Sequence, residues 1–265
     1  MKLGFIGGGL MGEAILAGAV DKKIASTDSI AVSEIMAARR DHLSKTYGVQ
    51  VAEEPDAALG AEIVVLAVKP QEFAKASGPL SGRMKPDQTV MSIMAGVRIE
   101  TIQKALGHEA VARAIPNTAA QVGESMTVWT TSTDVSERAQ ESVRNVLAVL
   151  GQELYVADEK YVDMATAVSS SGPAYVFLVM EAMIDAAVHI GLRRDQAETM
   201  VKQTIFGSSL YARESGRHPA VLRNEVTSPG GTTAEALRVL EEAAVRAAFT
   251  DAIEAAFDKA KQLGG

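Results

Sequence analysis

Hydrophobic positions follow two regimes along the chain. Up to about residue 157, short apolar runs ("KLGFIG", "SIAVS", "EIVVLAVKP", "TVMSIMAG", "AVARAIP") alternate with amphipathic segments of helical length. Apolar runs of this size bounded by Gly, Pro and Ser predict buried strands, and their alternation with helices predicts a mostly parallel α/β sheet. Beyond Asp158 the strand signals stop. Apolar residues three and four apart take over in "AYVFLVMEAMIDAAVHIG" and "TAEALRVLEEAAVRAAFTDAIEAAF", which predicts an all-helical second half. The expected division is residues 1–157 and 158–265, with no long linker, low-complexity tract or fixed-period repeat. Helices this apolar exceed what a domain of that size hides alone, so subunit pairing through the helical half is expected.

Composition narrows the partners. With a formal net charge of -7 and a pI near 5.2, the chain lacks the clustered cations that grip nucleic acid or an anionic membrane. A small-molecule partner is expected instead. The absence of cysteine excludes a disulfide framework, a thiol nucleophile and a thiolate metal site. Four histidines at 42, 108, 189 and 218 have no ligand spacing, so no metal is expected, and the eleven methionines read as helix packing. The start "MKLGFIGGGLMG" is too short and glycine-broken for a signal peptide, and no 18-residue apolar span is expected after it. The chain therefore reads as soluble and cytoplasmic.

Gly7-Gly8-Gly9-Leu10-Met11-Gly12 satisfies G-x-G-x-x-G directly after the first strand run and before an amphipathic segment. In that context Gly7 makes the tight turn, Gly9 lets backbone approach a pyrophosphate, and Gly12 permits close helix packing. The phosphates would sit on the helix N-terminus. This is the pattern of a Rossmann-type dinucleotide-binding domain, with Leu10 and Met11 completing the loop. Glu34, about 20 residues further on, would accept hydrogen bonds from a ribose and repel a 2′-phosphate. Ser33, Arg39 and Arg40 favour the opposite, since a hydroxyl and guanidiniums can hold that phosphate; Arg39 and Arg40 read equally well as a solvated helix face. Both NAD(H) and NADP(H) stay open. Further strand tips at Ala67, Val68, Lys69 and Pro70, at Ala95 and Gly96, and at Asn117 should complete the cofactor crevice, because ligands bind beyond the carboxyl ends of parallel strands.

Two features mark the helical half. "VSSSGPAYVF" interrupts a helical stretch and should kink it or start a new helix. "EVTSPGGTTAEAL" sets a proline and two glycines before a helix opening that reads as a capping box, Thr232-Thr233-Ala234-Glu235. Bare amides at Gly230 and Gly231 with hydroxyls from Thr227, Ser228, Thr232 and Thr233 suit a carboxylate or phosphate at a helix N-terminus.

Taken in order, "FIGGGLMGEAI", "LAVKP", "AGV", "RAIPNT", "SSSGPAYVF" and above all "TSPGGTTAEALRVLE" resemble the pyrroline-5-carboxylate reductase family along essentially the whole chain. The resemblance implies a Rossmann domain followed by an all-α dimerisation domain, and assembly as a homo-oligomer, from a dimer up to a decamer. It implies reduction of the cyclic imine 1-pyrroline-5-carboxylate to proline by a nicotinamide hydride. Carried over by motif, Ser228 and the amides around Gly230, Gly231 and Thr232 would hold the substrate carboxylate, and Thr233 would set its hydroxyl near the imine nitrogen. A donor there stabilises developing charge or relays a proton. Ile115, where the family pattern has methionine, and Pro55, where an asparagine is common, depart from it. A related 3-hydroxy-acid dehydrogenase would need a lysine in "VDMATAVSSSGPAYVFLVMEA", which has none. A non-catalytic dinucleotide binder would have no use for the hydroxyl-rich loop.

Overall fold

The computed structural model describes residues 1–263. Eight strands form one sheet: β1 (Leu3–Ile6), β2 (Ile30–Ser33), β3 (Gln50–Ala52), β4 (Ile63–Leu66), β5 (Thr89–Ser92), β6 (Val111–Ile115), β7 (Ser125–Thr131) and β8 (Gly151–Tyr155). Their order is β3-β2-β1-β4-β5-β6-β7-β8. Every pairing is parallel except β6 with β7. The strand order reverses between β1 and β4, the switch point at which open α/β sheets bind ligands. β1, β2, β4, β5 and β6 are buried at every position, which is why they read as continuous apolar runs.

Helices cover both faces. On one, α1 (Leu10–Asp21), α2 (Ala37–Tyr47) and, after α3 (Phe73–Ser77) and α4 (Ile99–Leu106), α5 (Glu137–Ala148) pack Ile15, Leu16, Leu43, Val143 and Leu147 against Leu3, Phe5, Val65 and Trp129. On the other, Phe73 of α3 and Ile102 and Leu106 of α4 pack against Ile6, Val64, Leu66 and Val90.

The second half is helical throughout: α6 (Lys160–Ala165), a π-helical turn Thr166–Ser170, α7 (Gly172–His189), α8 (Arg194–Ser215), α9 (Pro219–Glu225), α10 (Thr232–Glu242) and α11 (Val245–Leu263). Chain contacts divide the molecule into one unit of residues 1–173 with the end of α11 from Ala255, and a second of Ala174–Glu254. Taken by itself, the second unit buries only Ala197 and Val201, while Phe177, Leu178, Ile190, Phe206 and Tyr211 are more than half exposed. Apolar side chains left in water on this scale mark a surface that another chain covers. The helical run Lys160–His189 is long and apolar enough, by length and composition alone, to cross a membrane. That overturns the expectation that no 18-residue apolar span follows the N-terminus; Glu181 and Asp185 interrupt the run in the sequence, while the apolar residues around them keep its mean hydropathy high.

Candidate functional site

The loop between β1 and α1 is shaped by its glycines. Gly7 has φ +99°, and a Cβ there would lie 2.7 Å from the Ala67 carbonyl oxygen, so only glycine fits so close to the end of β4. A Cβ on Gly12 would lie 2.7 Å from the Gly7 oxygen, which sets α1 tight against the turn. Gly9 differs, because nothing lies within 4 Å of its missing Cβ. It is the N-cap of α1, and no side chain caps that helix. An open glycine beneath uncapped amides is the cradle a pyrophosphate needs, and Leu10, 68% exposed, flanks it. These residues fit a dinucleotide.

The tip of β2 is tied to this loop. The Glu34 carboxylate accepts hydrogen bonds from the backbone N–H of Gly8 and of Met36, both at 2.8 Å. Arg39 donates to the Gly8 carbonyl at 2.6 Å and pairs with Glu13 of α1 at 2.6 Å. Arg40 donates to the Glu34 and Ile35 carbonyls and pairs with Glu53. Neither arginine is a solvated helix face: Arg39 ties α2 to the glycine loop and α1, and Arg40 ties α2 to the β2 tip. Ser33 is buried and donates its hydroxyl to the Glu53 carbonyl at 3.0 Å. Glu13 collects Arg39, His42 and Tyr47 around one carboxyl. Burial pushes that carboxyl up, but the three hydrogen bonds outweigh burial and leave it below the usual carboxylate range. Burial, and then the same contact, raises the Tyr47 phenol.

The remaining strand tips lie where expected in the sheet. Ala67 and Val68 are half-buried beyond β4, Lys69 is exposed, and Pro70 opens a 3-10 turn. Gly96, beyond β5, takes φ +75° and is buried beside half-buried Ala95. Asn117 caps the turn after β6 by accepting from Ala119 N–H at 3.0 Å, and its amide donates to the Ser169 carbonyl at 3.3 Å. That contact brings the π-helical turn to the β6 tip, an arrangement that the run of serines hinted at without fixing. Arg113, 1% exposed, sits between Glu159 at 2.8 Å and Asp163 at 2.6 Å. An arginine inside an apolar run is the signal in the sequence for such a buried ion pair, less conspicuous there than the proline at the end of the strand.

In the second loop, Ser228-Pro229-Gly230-Gly231 forms a turn closed by Gly231 N–H to the Ser228 carbonyl at 3.1 Å, with Gly230 at φ +65°. A Cβ on Gly231 would lie 2.3 Å from the Ser228 hydroxyl, so glycine is what lets this hydroxyl lie over the start of α10. The expected capping box is not formed. The N-cap is Gly231, Thr232 is the first helical residue, no side chain caps the helix, and Glu235 pairs with Arg238 instead of reaching back. Thr232 falls one residue inside the helix because the Gly230–Gly231 turn already supplies the extended cap conformation. Thr227 is likewise removed from the seat, since its hydroxyl donates to the Arg223 carbonyl at 2.6 Å. Exposed Ser228, exposed Thr232 and half-buried Thr233 remain around open amides. Among the described residues no group of three or more His, Asp or Glu side chains is arranged to hold a metal.

A doubly wound sheet with an open glycine cradle, followed by helices with a bare anion seat, defines a two-part nucleotide-dependent oxidoreductase. Residues 2–96 match the family model described as NADP oxidoreductase, coenzyme F420-dependent, and residues 159–263 match pyrroline-5-carboxylate reductase dimerisation, a region that contains the exposed apolar α7. The pyrroline-5-carboxylate reductase of Synechocystis sp. is 40% identical over 100% of this chain and 98% of its own. Among solved structures, that of the Coxiella burnetii pyrroline-5-carboxylate reductase matches with a TM-score of 0.91 at 33% identity over 100% of this chain and 98% of the other. That of the Plasmodium falciparum pyrroline carboxylate reductase, with NADP bound, matches with a TM-score of 0.90 at 29% identity over 100% and 98%. The chain belongs to the pyrroline-5-carboxylate reductase family.

Proposed function

We propose that this chain catalyses the NAD(P)H-dependent reduction of 1-pyrroline-5-carboxylate to L-proline, the last step of proline biosynthesis. The observation that carries the reading is the uncapped start of α10 with the Ser228 hydroxyl over Gly231, an anion seat matched to the one carboxylate that the small imine offers. Ser228 and the amides of Gly230, Gly231 and Thr232 hold that carboxylate. Thr233 directs its hydroxyl at the ring nitrogen, where it donates a hydrogen bond as the C=N bond is reduced. The nicotinamide, when bound, supplies the hydride that the imine carbon accepts, while the nitrogen keeps or gains a proton. Gly7, Gly9, Leu10, Met11 and Gly12 seat the pyrophosphate, Ser33 and Glu34 lie on the ribose side, and Ala67, Val68, Lys69, Pro70, Ala95, Gly96 and Asn117 line the crevice. No metal takes part.

Residues 1–157 serve the dinucleotide and residues 158–265 the substrate and dimerisation. The exposed apolar helices support a homo-oligomer built from dimers, up to a decamer; the acidic charge supports a partner set without nucleic acid or membrane, and the cysteine-free composition suits a cytoplasmic enzyme. Purified protein given pyrroline-5-carboxylate with NADPH, and separately with NADH, tests the activity through the loss of absorbance of the reduced nicotinamide. Oxidation that depends on the imine is expected; cofactor-bound, folded protein that oxidises neither would refute the proposal.

A further inference from the structure

Glu34 is the first residue beyond β2, beside the glycine loop, and it is 9% exposed. One carboxylate oxygen accepts from Gly8 N–H and the other from Met36 N–H. A carboxylate at the edge of an open loop can swing away from an incoming phosphate. This one cannot do so without leaving two backbone donors unpaired, one of them buried. Each oxygen still has a free lone pair, enough to accept from ribose hydroxyls. A 2′-phosphate in the same place would meet a fixed like charge.

The groups that would offset that charge are committed elsewhere. Arg39 would have to release the Gly8 carbonyl and Glu13, and Arg40 the carbonyls of Glu34 and Ile35 and the carboxylate of Glu53. The Ser33 hydroxyl already donates to the Glu53 carbonyl. We propose that Glu34 makes this chain select NADH over NADPH, with Arg39 and Arg40 as positioning residues that hold the β2 tip and the glycine loop in the rejecting arrangement. The inference rests on the dinucleotide reading of the first loop.

Equilibrium binding of NADH and of NADPH, read by quenching of Trp129, the single tryptophan, tests it without turnover. Wild-type protein should bind NADH at least about tenfold more tightly. Glu34→Gln should narrow the ratio chiefly by tightening NADPH. A wild-type ratio at or below one overturns the inference, and an unchanged ratio in a folded Glu34→Gln protein overturns the assignment to Glu34. Competition on the wild-type protein isolates the 2′-phosphate and needs no variant: AMP should displace NADH at lower concentration than adenosine 2′,5′-bisphosphate, and the reverse order would refute selection at this position. Failure of both nucleotides to bind would instead overturn the dinucleotide reading, and this inference with it.

Discussion

Arg113 on β6 and Asp163 on α6 form an ion pair at 2.6 Å, with the arginine side chain 1% exposed and the aspartate 12%. Glu159 takes the other guanidinium nitrogen at 2.8 Å and also accepts from Ile99 N–H at 2.9 Å. The cluster fastens the sheet to the helix that leads into the π-helical turn. Removing the cation would strand Asp163 near-buried without its partner, a loss worth about 3 kcal/mol or more. Arg113→Met should therefore lower the denaturant midpoint markedly, and Arg113→Lys, which keeps the charge but not the fork, should fall between. Equal midpoints for wild type and Arg113→Met in urea unfolding would show that the pair contributes nothing net.

The glycines of the first loop separate folding from binding. A Cβ at position 12 drives into backbone, whereas one at position 9 meets open space. Gly12→Ala should lower thermal stability as well as nucleotide affinity. Gly9→Ala should melt close to the wild-type temperature yet bind NADH more weakly, because its methyl occupies the phosphate's approach. Paired melting curves and NADH titrations check this; a Gly9→Ala protein with unchanged affinity would place the phosphate elsewhere.

Much of this arrangement is legible in the chain. β1, β2, β4, β5 and β6 announce themselves because both faces are covered and their apolar runs are unbroken. β3, β7 and β8 do not. Gln50–Ala52 is three residues long and only partly buried; Ser125–Thr131 carries hydroxyls at four of its seven positions, which its burial hides; Gly151–Tyr155 is largely exposed. The glycine loops were visible because their spacing is local. The network of Glu34 is only half legible: its bond from Met36 N–H is local, two residues along, whereas the one from Gly8 N–H exists only because the tips of β1 and β2 meet in the fold. The capping box failed for a local reason too subtle for pattern, a turn that had already placed Gly231 in the cap conformation.

Acid should weaken the contacts that hold the glycine loop. Glu13 holds Arg39, His42 and Tyr47, and its carboxyl is depressed below the ordinary value. A group depressed in the folded state contributes stability that is fully present above its unfolded pKa, about 4.3 for glutamate. That contribution disappears as pH falls through the folded value. Glu13→Gln should be less stable than wild type near neutrality, and the gap should close as pH drops below that range. Melting temperatures of both proteins from pH 7 downward report it; a gap independent of pH would mean that the carboxylate's charge is not what the contacts stabilise.

Ser228 and Thr233 sit at the same helix start but should fail differently. Ser228 is exposed beside the amides, and in the proposed reading it holds the substrate's carboxylate, which has the same charge before and during reaction. Its loss is a loss of uniform binding, so Ser228→Ala should raise KM with kcat little changed. In the proposed reading Thr233 serves the nitrogen, where charge changes as hydride arrives, so Thr233→Ala should lower kcat by about 100-fold, and Thr233→Ser, which keeps the hydroxyl, by far less. Steady-state kinetics on the three variants decide between the roles: a Thr233→Ala enzyme with normal kcat and raised KM would make Thr233 a second carboxylate ligand and leave the proton to solvent.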